Sequence, residues 1–546
     1  MRKILRVLFS RYTLCALIIL LDLSLLIYLG IKAYAYSLLF LALSGAVTVL
    51  VFLSLINRDA NPEFKITWLV VLFIIPTFGA VLYLLFYSRR LTRSETEFAK
   101  SLSSAVRDNI RSTGDDGESL ANLNLLSGIS GSAAGRAHAL LRDDILSLVC
   151  LDACEYYPSG EELYSATLSA LKGAEKYIFL EYFIVEEGEM WQGIYDILKE
   201  KVGCGVEVRM LYDDIGSMST LPADFDKRLR AEGISCYRFA RVRPTLSSSL
   251  QNRDHRKIAV IDGEKAFTGG VNIADEYINR RVRFGHWKDG GISVSGMAAR
   301  AFSRFFLAQY DLTVKEISDY GKYLPKVATP TYMTDPVEMS QNAKNHRTGA
   351  VKSEDNVEKT GTGKGFLVPF CDGPAPIFPE TVGKNIFLNT IHSANKYLYI
   401  TTPYLIIDYE MTEALKGAVG RGVDVRIITP AAADKRLVKI MTKNSYSYLT
   451  KAGVRIFEYS PGFIHEKLLI QDGESAIVGT INLDYRSLVH HFEDGVFVFG
   501  SESVTAMRDG FLDTESKSCE ILQKNARLRF HERIIRDLIR IFAPLM

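Results

Sequence analysis

Residues 255–272 read HRKIAVIDGEKAFTGGVN, and residues 465–482 read HEKLLIQDGESAIVGTIN. The unusual positions of the first stretch recur 210 residues later: His255 as His465, Lys257 as Lys467, Asp262 as Asp472, Asn272 as Asn482. One His-x-Lys pair is a weak signal, because short charged motifs arise by chance. The same spaced set twice in one chain is a strong one. In both copies the residues after the lysine are apolar, 258–261 and 468–470, and read as buried strands. Side chains at i and i+2 leave a strand on one face, so each His stands beside its Lys.

The repetition extends outward. AEKYIF at 174–179 answers to ANKYLY at 394–399, GVEVRM at 205–210 to GVDVRI at 422–427, and Gly233-Ile234 to Gly453-Val454. A period this long is domain duplication, not a solenoid. In each copy an amphipathic helix (162–171; 383–393) leads to an apolar run (177–185; 397–407). A second helix (191–202; 411–419) follows, then a short strand (206–211; 423–428). This alternation predicts an α/β fold of two βαβ lobes on a mostly parallel sheet, related by pseudo-twofold symmetry, with equivalent loops at a shared cleft. The lobes span 96–330 and 366–546. Between them 331–365, polar and Gly/Thr/Lys-rich from 340, reads as a linker or insertion.

The first 95 residues differ. Three apolar stretches, 14–31, 34–56 and 66–87, are each near the ~20 residues a helix needs to span hydrocarbon. Asp22 interrupts the first, Asn61-Pro62 reads as a turn between the others, and Pro76 and Gly79 are tolerated in membrane helices. Residues 1–95 are therefore expected to form an anchor of two or three transmembrane helices. Arg2, Lys3, Arg6 and Arg11 favour a cytoplasmic N-terminus; Arg89, Arg90 and Arg93 favour a cytoplasmic catalytic region. At the other end, 527–541 alternates basic and apolar residues at helical spacing, as an interfacial helix on anionic lipid or a docked amphipathic helix does. Lys+Arg of 65 against Asp+Glu of 63 leaves no global cationic field, which argues against nucleic acid as partner. Seven cysteines without a disulfide-like framework fit a reducing compartment, with Cys150 and Cys154 read as buried thiols.

Two such strands meeting at a pseudo-twofold axis bring together two imidazoles, two ammoniums and two amides. That is an anion site: Lys257, Lys467, Asn272 and Asn482, with Gly270 and Thr480 in the same loops, suit the non-bridging oxygens of a phosphodiester. One neutral His can attack phosphorus while the other, protonated, donates to the leaving alkoxide. The near symmetry leaves open which is which. Asp289 and Glu493 follow the two motifs at comparable places and are the candidates for orienting the imidazoles. Asp262 and Asp472 complete the catalytic set in a site-supporting role, although Asp before Gly at a strand end is also an ordinary turn residue. Asp213-Asp214 suits a cleft lining or a helix cap. Arg241, Arg243, Arg253 and Arg256 suit phosphate headgroups or a solvated loop. His286, His490 and His491 raise the question of a metal. Adjacent histidines on a strand point to opposite faces, and no carboxylate or thiol cluster completes a ligand set, so no metal and no cofactor are expected.

The paired HxKxxxxD with trailing Gly-Gly or Gly-Thr and Asn resembles the two HKD motifs of the phospholipase D superfamily. Residues 181–184 and 402–404 resemble that family's strand ends beside the cleft, and 269–277 and 482–487 resemble the motif tails of its bacterial cardiolipin synthase branch. Asn61-Pro62 with Pro76 and Gly79 resembles the branch's membrane hairpin, and 539–545 its C-terminal end. The resemblance implies a multi-pass enzyme of the bacterial cell membrane, with phosphatidylglycerol and anionic lipid as partners. It also implies ping-pong transfer: His255 becomes phosphatidyl-histidine as glycerol leaves, and His465 protonates that glycerol, then deprotonates the hydroxyl of a second phosphatidylglycerol. A hydrolase, or a transferase using another headgroup donor, is the alternative. The 340–365 segment, the extra apolar stretch before residue 34, and His491, where the branch often has Asn, depart from the pattern.

Overall fold

The computed structural model describes residues 37–58, 61–86, 93–144, 146–241, 252–326, 363–374, 377–378, 380–526 and 529–545, with five single positions before 37. Outside these residues lie nearly all of the 14–31 stretch, the expected topology signals Arg2, Lys3, Arg6, Arg11, Arg89 and Arg90, the position Arg243, and residues 331–362.

The first half supplies β1 Cys150–Tyr157, β2 Tyr177–Tyr182, β3 Glu207–Asp213, β4 Ser235–Phe239, β5 Lys257–Ile261, β6 Lys265–Gly269, β7 His286–Lys288 and β8 Gly291–Ser295. The second supplies β9 Lys364–Asp372, β10 Tyr397–Thr401, β11 Leu405–Ile406, β12 Asp424–Pro430, β13 Arg455–Tyr459, β14 Gly462–Ile464, β15 Leu468–Gln471, β16 Ser475–Gly479, β17 Leu483–Asp484, β18 Glu493–Phe499 and β19 Ser518–Glu520. Fifteen of these form one continuous sheet. Its seam is the antiparallel pair β1–β9. Outward from it the order is β8-β6-β5-β2-β3-β4 on one side and β18-β16-β15-β10-β12-β13-β19 on the other. The pseudo-twofold axis therefore passes between β1 and β9, and both motif strands, β5 and β15, lie equally far from it.

The sheet is mixed, not mostly parallel as the sequence suggested. β2-β3-β4 and β10-β12-β13 are parallel, joined through helices. The rest of each half is an antiparallel meander. Residues 262–264 and 472–474 are too short for a crossover and can only make hairpins.

Helices cover both faces. They include α1 Ser37–Ile56, α2 Pro62–Ile74, α3 Pro76–Phe86, α4 Arg93–Thr113, α5 Asp115–Ile129, α6 Gly131–Asp143, α7 Gly160–Lys172, α8 Glu189–Gly203, α9 Gly296–Val314, α10 Val382–Ser393, α11 Tyr409–Gly420, α12 Arg436–Lys451, α13 Glu502–Ser516 and α14 Phe530–Arg540. On one face a single core spans the seam, with Val106 of α4, Phe302, Phe305 and Phe306 of α9, and Met507 and Phe511 of α13. On the other face each half has its own core. α7 and α8 cover the first through Leu163, Leu171, Trp191 and Leu198. α10 and α11 cover the second, joined by α5 and α6 through Leu126, Ala133 and Leu140. So α5 and α6, which precede the first half in the chain, pack on the second. The caps are those the sequence carries: Ser159 accepts from the Glu162 amide at 3.1 Å to start α7, and Asp408 accepts from the Met411 amide at 3.0 Å to start α11.

The described residues do not support the expected two or three transmembrane helices. Among the described residues no helix is long and apolar enough to cross a membrane. The 66–87 stretch is a hairpin, not one rod. Pro76 disfavours helical geometry at Ile75, which sits at φ −136°, and the chain doubles back there. A Cβ on Gly79 would lie 2.8 Å from the Val71 carbonyl oxygen, so only Gly permits that approach. α2 and α3, with 13 and 11 residues, are roughly 20 and 16 Å long, short of the ~30 Å hydrocarbon core. Asn61-Pro62 is not a turn between spans but the cap and first residue of α2, with Asn61 accepting from the Glu63 amide at 2.9 Å. Val51, Leu55, Trp68, Leu72, Ala80 and Tyr83 make a small core for α1–α3. The group is fastened to the second half: Asn61 donates to Asp408 at 2.9 Å, Glu63 accepts from the Tyr409 amide at 3.0 Å, and Thr67 donates to the Ile541 carbonyl at 2.6 Å.

Candidate active site

Each motif histidine sits just before its strand, on backbone held by the other half of the chain. The His255 amide donates to the Phe492 carbonyl at 2.9 Å, and the His465 amide to the Lys288 carbonyl at 2.7 Å. Asp254 bridges to Phe492, and β14 runs parallel to β7 with Ile464 opposite Lys288. The segments carrying the two acids are thereby laced to the segments carrying the two histidines, crosswise. His255 Nδ1 lies 2.9 Å from Glu493 Oε2, and His465 Nδ1 lies 2.7 Å from Asp289 Oδ2. Both of these imidazole–acid pairs thus join the two halves. A carboxylate on Nδ1 fixes the proton there and leaves Nε2 with a free lone pair.

The lysines flank this pair. Lys257 Nζ donates to the His255 carbonyl at 2.5 Å; Lys467 Nζ donates to the His465 carbonyl and lies 2.8 Å from His465 Nδ1. All four side chains are buried. Burial, then the charges of Lys257, Lys467 and His465, hold His255 well below its usual value. Burial and Lys467 push His465 down to about 4. The action of Lys467 and His465 on His255, and of Lys257 on His465, puts both motifs in one electrostatic site. Burial lowers Lys257 to about 8 and Lys467 to about 7. Burial raises Asp289, but the charges and hydrogen bond of His465 and Lys467 outweigh it and hold the carboxyl below its ordinary value. The result is two neutral imidazoles beside easily deprotonated ammoniums.

Other expected site residues serve the framework. Asp262 and Asp472, counted with the catalytic set, lie beyond the far ends of β5 and β15 and do not reach the imidazoles. Asp262 accepts from the amides of Glu175, Lys176 and Tyr177 at 2.7–2.8 Å; Asp472 accepts from those of Asn395, Lys396 and Tyr397 at 2.7–2.9 Å. Both sit at φ +56°, where Asp is tolerated better than most residues. Of the expected substrate ligands, Asn272 is held by the fold: Oδ1 accepts from the Ile184 amide at 3.0 Å and one N–H of Nδ2 donates to Tyr277 at 2.7 Å, leaving the other. Gly270 makes room for the acid, since a Cβ there would fall 2.0 Å from Asp289 Oδ1. Its counterpart Thr480 donates to Glu493 Oε2 at 2.5 Å. Asn482 differs: buried, with its Oδ1 unpartnered among the described residues.

The residues between His and Lys have partners of their own. Arg256 is not at a headgroup surface but buried, 2.7 Å from Glu181 and 3.1 Å from Asp254. Glu466 accepts from Tyr156 at 2.5 Å and Lys288 at 3.1 Å. Arg253 is buried 3.5 Å from Asp213. Asp213 accepts from the amides of Ile215 and Gly216 at 2.9 and 2.8 Å and of Asp254 at 3.0 Å, tying the end of β3 to the residue before His255. Asp494, pushed up to about 7 by burial, accepts from the Lys257 amide at 3.4 Å. Glu181 belongs to the strand end expected beside the cleft, whereas Asp254, Glu466 and Asp494 carry no signal in the sequence, because a lone acid has none until its partner is known.

His286 and His490 stay outside the site, bound to Tyr459 at 3.0 Å and the Pro544 carbonyl at 3.2 Å. His491 does not. Residues 486–490 form a π-helical turn rather than a strand, and His491 enters the site with its ring 5.4 Å from that of His255. Contrary to the expectation that no ligand set is completed, ligand atoms of His255, His491 and Glu493 lie within 4.8 Å of one another. The six described cysteines are all free.

Residues 167–282 and 387–514 match the family model described as cardiolipin synthase, PLD-like domain, and 46–86 that described as phospholipase D-nuclease N-terminal. A cardiolipin synthase of Alkalihalophilus pseudofirmus is 32% identical over 496 residues, 90% of this chain and 90% of that relative. A cardiolipin synthase 2 of Bacillus anthracis is 31% identical over 491 residues, 90% of this chain and 88% of that one. The crystal structure of a phosphatidylserine synthase from Haemophilus influenzae superposes with a TM-score of 0.51 at 14% identity, covering 72% of this chain and 95% of that chain.

Proposed function

The chain belongs to the cardiolipin synthase family of phospholipase D-like proteins, and from that membership we propose that it transfers a phosphatidyl group between two phosphatidylglycerol molecules, giving cardiolipin and glycerol. It is a phosphatidyltransferase. The observation that carries the mechanism is the crosswise pairing of His255 with Glu493 and His465 with Asp289.

The lone pair on His255 Nε2 attacks the lipid phosphorus, forming an N–P bond as the P–O bond to glycerol breaks. His465 gives that oxygen its proton. The phosphodiester anion offsets the lysine charges that hold His465 low, so substrate binding raises it toward the value a general acid needs. Lys257 and Lys467 hold the non-bridging oxygens, and Asn482 offers its amide to the same group. In the second half-reaction neutral His465 takes the proton of an acceptor lipid's hydroxyl, that oxygen bonds to phosphorus, and His255 is released. Which alcohol wins at the intermediate is set by local concentration.

That concentration comes from the membrane. α2, α3 and α14, with Thr67 of α2 donating to the Ile541 carbonyl just after α14, present exposed apolar side chains, among them Phe73 (87% exposed), Phe530 (76%) and Leu538 (65%). Arg529, Arg536 and Arg540 line the same C-terminal helix. The reading is of helices embedded in one leaflet of a bacterial cell membrane, on the cytoplasmic side, with basic residues at the anionic headgroups.

The test is reconstituted protein with phosphatidylglycerol labelled in its phosphate. Cardiolipin plus free glycerol is the expected outcome; phosphatidic acid alone would make the enzyme a hydrolase. Quenching in alkali, where phosphohistidine survives, should trap label on the wild-type chain and none on His255→Ala.

A further inference from the structure

Glu493 uses its two oxygens unequally. Oε2 accepts from His255 Nδ1 and from Thr480, whereas Oε1 is buried without a hydrogen bond. His491 faces it, 6% exposed. Its Nδ1 is 3.5 Å from Oε1, too long and poorly aligned to count as a bond, and its Nε2 has no partner among the described residues. Leaving one buried polar group unpaired costs about 1–3 kcal/mol. Of these three atoms one imidazole nitrogen carries the proton, which leaves a carboxylate oxygen and one imidazole lone pair short of a partner.

The spacing identifies the partner. Around tetrahedral zinc, with bonds of ~2.0–2.2 Å to nitrogen and oxygen, neighbouring ligand atoms stand roughly 3.3 Å apart. Glu493 reaches His255 Nδ1 at 2.9 Å with Oε2 and His491 Nδ1 at 3.5 Å with Oε1, and one ligand atom from each of the three residues lies within 4.8 Å of the others, which side-chain shifts of about an ångström bring to that spacing. Two imidazole nitrogens and a carboxylate oxygen suit zinc, and a fourth position stays open for water. The other half-site has no equivalent. β6–β8 and β16–β18 pair Gly269 with Gly291 and Gly479 with Gly495, which makes Trp287 the counterpart of His491. Trp287 packs 5.5 Å from His465 as His491 does from His255, but an indole cannot ligate.

We infer that His255, His491 and Glu493 form an inhibitory site for one borderline divalent cation such as Zn2+, which arrests the enzyme by occupying His255. Binding stands on the geometry alone; the arrest rests on the reading of His255 as nucleophile. The experiment titrates detergent-solubilised full-length protein with Zn2+, reading bound metal by calorimetry and cardiolipin formation in parallel. One equivalent should bind, with activity falling at least tenfold and returning on chelation. His491→Asn, the residue the resemblance puts at that position, should keep basal activity while losing the bound equivalent and the sensitivity to zinc. Co2+ added to the wild-type chain should give the intense visible absorption of a four-coordinate site, a readout that needs no variant. No saturable zinc binding, a weak six-coordinate cobalt spectrum, or a His491→Asn protein that binds zinc as tightly as wild type would each overturn the site. Zinc binding lost in His491→Asn without any effect on wild-type turnover would uphold the site and overturn the role of His255.

Discussion

Glu493→Gln keeps the shape of the side chain beside His255 and removes its charge. The amide can offer its own N–H to Nδ1 and so stabilise the tautomer with the proton on Nε2, the nitrogen that must attack. Turnover should fall about 10²–10⁴-fold with little change in KM, measured as initial rates on phosphatidylglycerol vesicles; Asp289→Asn should behave alike. A loss under tenfold would remove the acids from the mechanism. His465 adds a pH dependence. It stays neutral in the fold down to about 4, while in the unfolded chain it takes a proton near 6.5. Between those values the unfolded state holds more protons, so its contribution is complete above 6.5 and lost as pH falls toward 4. The gap is worth about 3 kcal/mol. The melting temperature should drop between pH 7 and 4.5, and drop less in His465→Asn. The histidines and lysines stood out because the same spaced set recurs at a fixed offset of 210 residues. Asn272 and Gly270 also meet neighbouring loops, which the letters do not reveal, since they are the same whether an amide or a bare Cα faces a substrate or the fold.

At the scale of elements, the third member of each HxKxxxxD set is a clamp on the loop that feeds β2 or β10. Asp472→Ala releases three amides from a charged acceptor and should cost about 2–4 kcal/mol, read as a fall in melting temperature. Activity per folded molecule should stay within a few-fold of wild type, and Asp472→Asn should be milder, since Asn also tolerates positive φ. A catalytic Asp would reverse that pattern. In the anchor, Gly79→Leu drives a side chain into the Val71 carbonyl and should open the α2–α3 hairpin, seen as proteolytic cleavage near Ile75. Hydropathy read 66–87 as one rod because it counts apolar residues and does not register a reversal at Pro76. Likewise the periodicity of 177–211 identified the parallel units correctly, while the three-residue turns at 262–264 and 472–474 settle the antiparallel part. Turn length, present in the sequence, was the signal not used.

Over the whole molecule, the duplication could be read from offsets alone, but the continuity of the sheet through β1–β9 could not, since no repeat marks a seam. The packing of α5 and α6 on the second half was equally hidden, because chain order says nothing about which lobe a helix covers. The membrane face makes a prediction at this scale. Leu538→Glu places a charge in the exposed apolar row of α14 and should lower partition onto phosphatidylglycerol vesicles at least tenfold, while turnover on detergent-dispersed substrate stays unchanged; sedimentation with vesicles measures it. Equal sedimentation would detach α14 from lipid binding.

The crosswise lacing has a consequence for how the duplicated copies can change. Each lends its acid to its sibling and borrows one in return, so a substitution in either is felt in both reaction steps. A gene bearing a single copy could rebuild this chemistry only by meeting a twin across the axis that β1 and β9 now occupy. The tether between them spares the enzyme that search, and it lets the twins become unlike, as His491 and Trp287 already are.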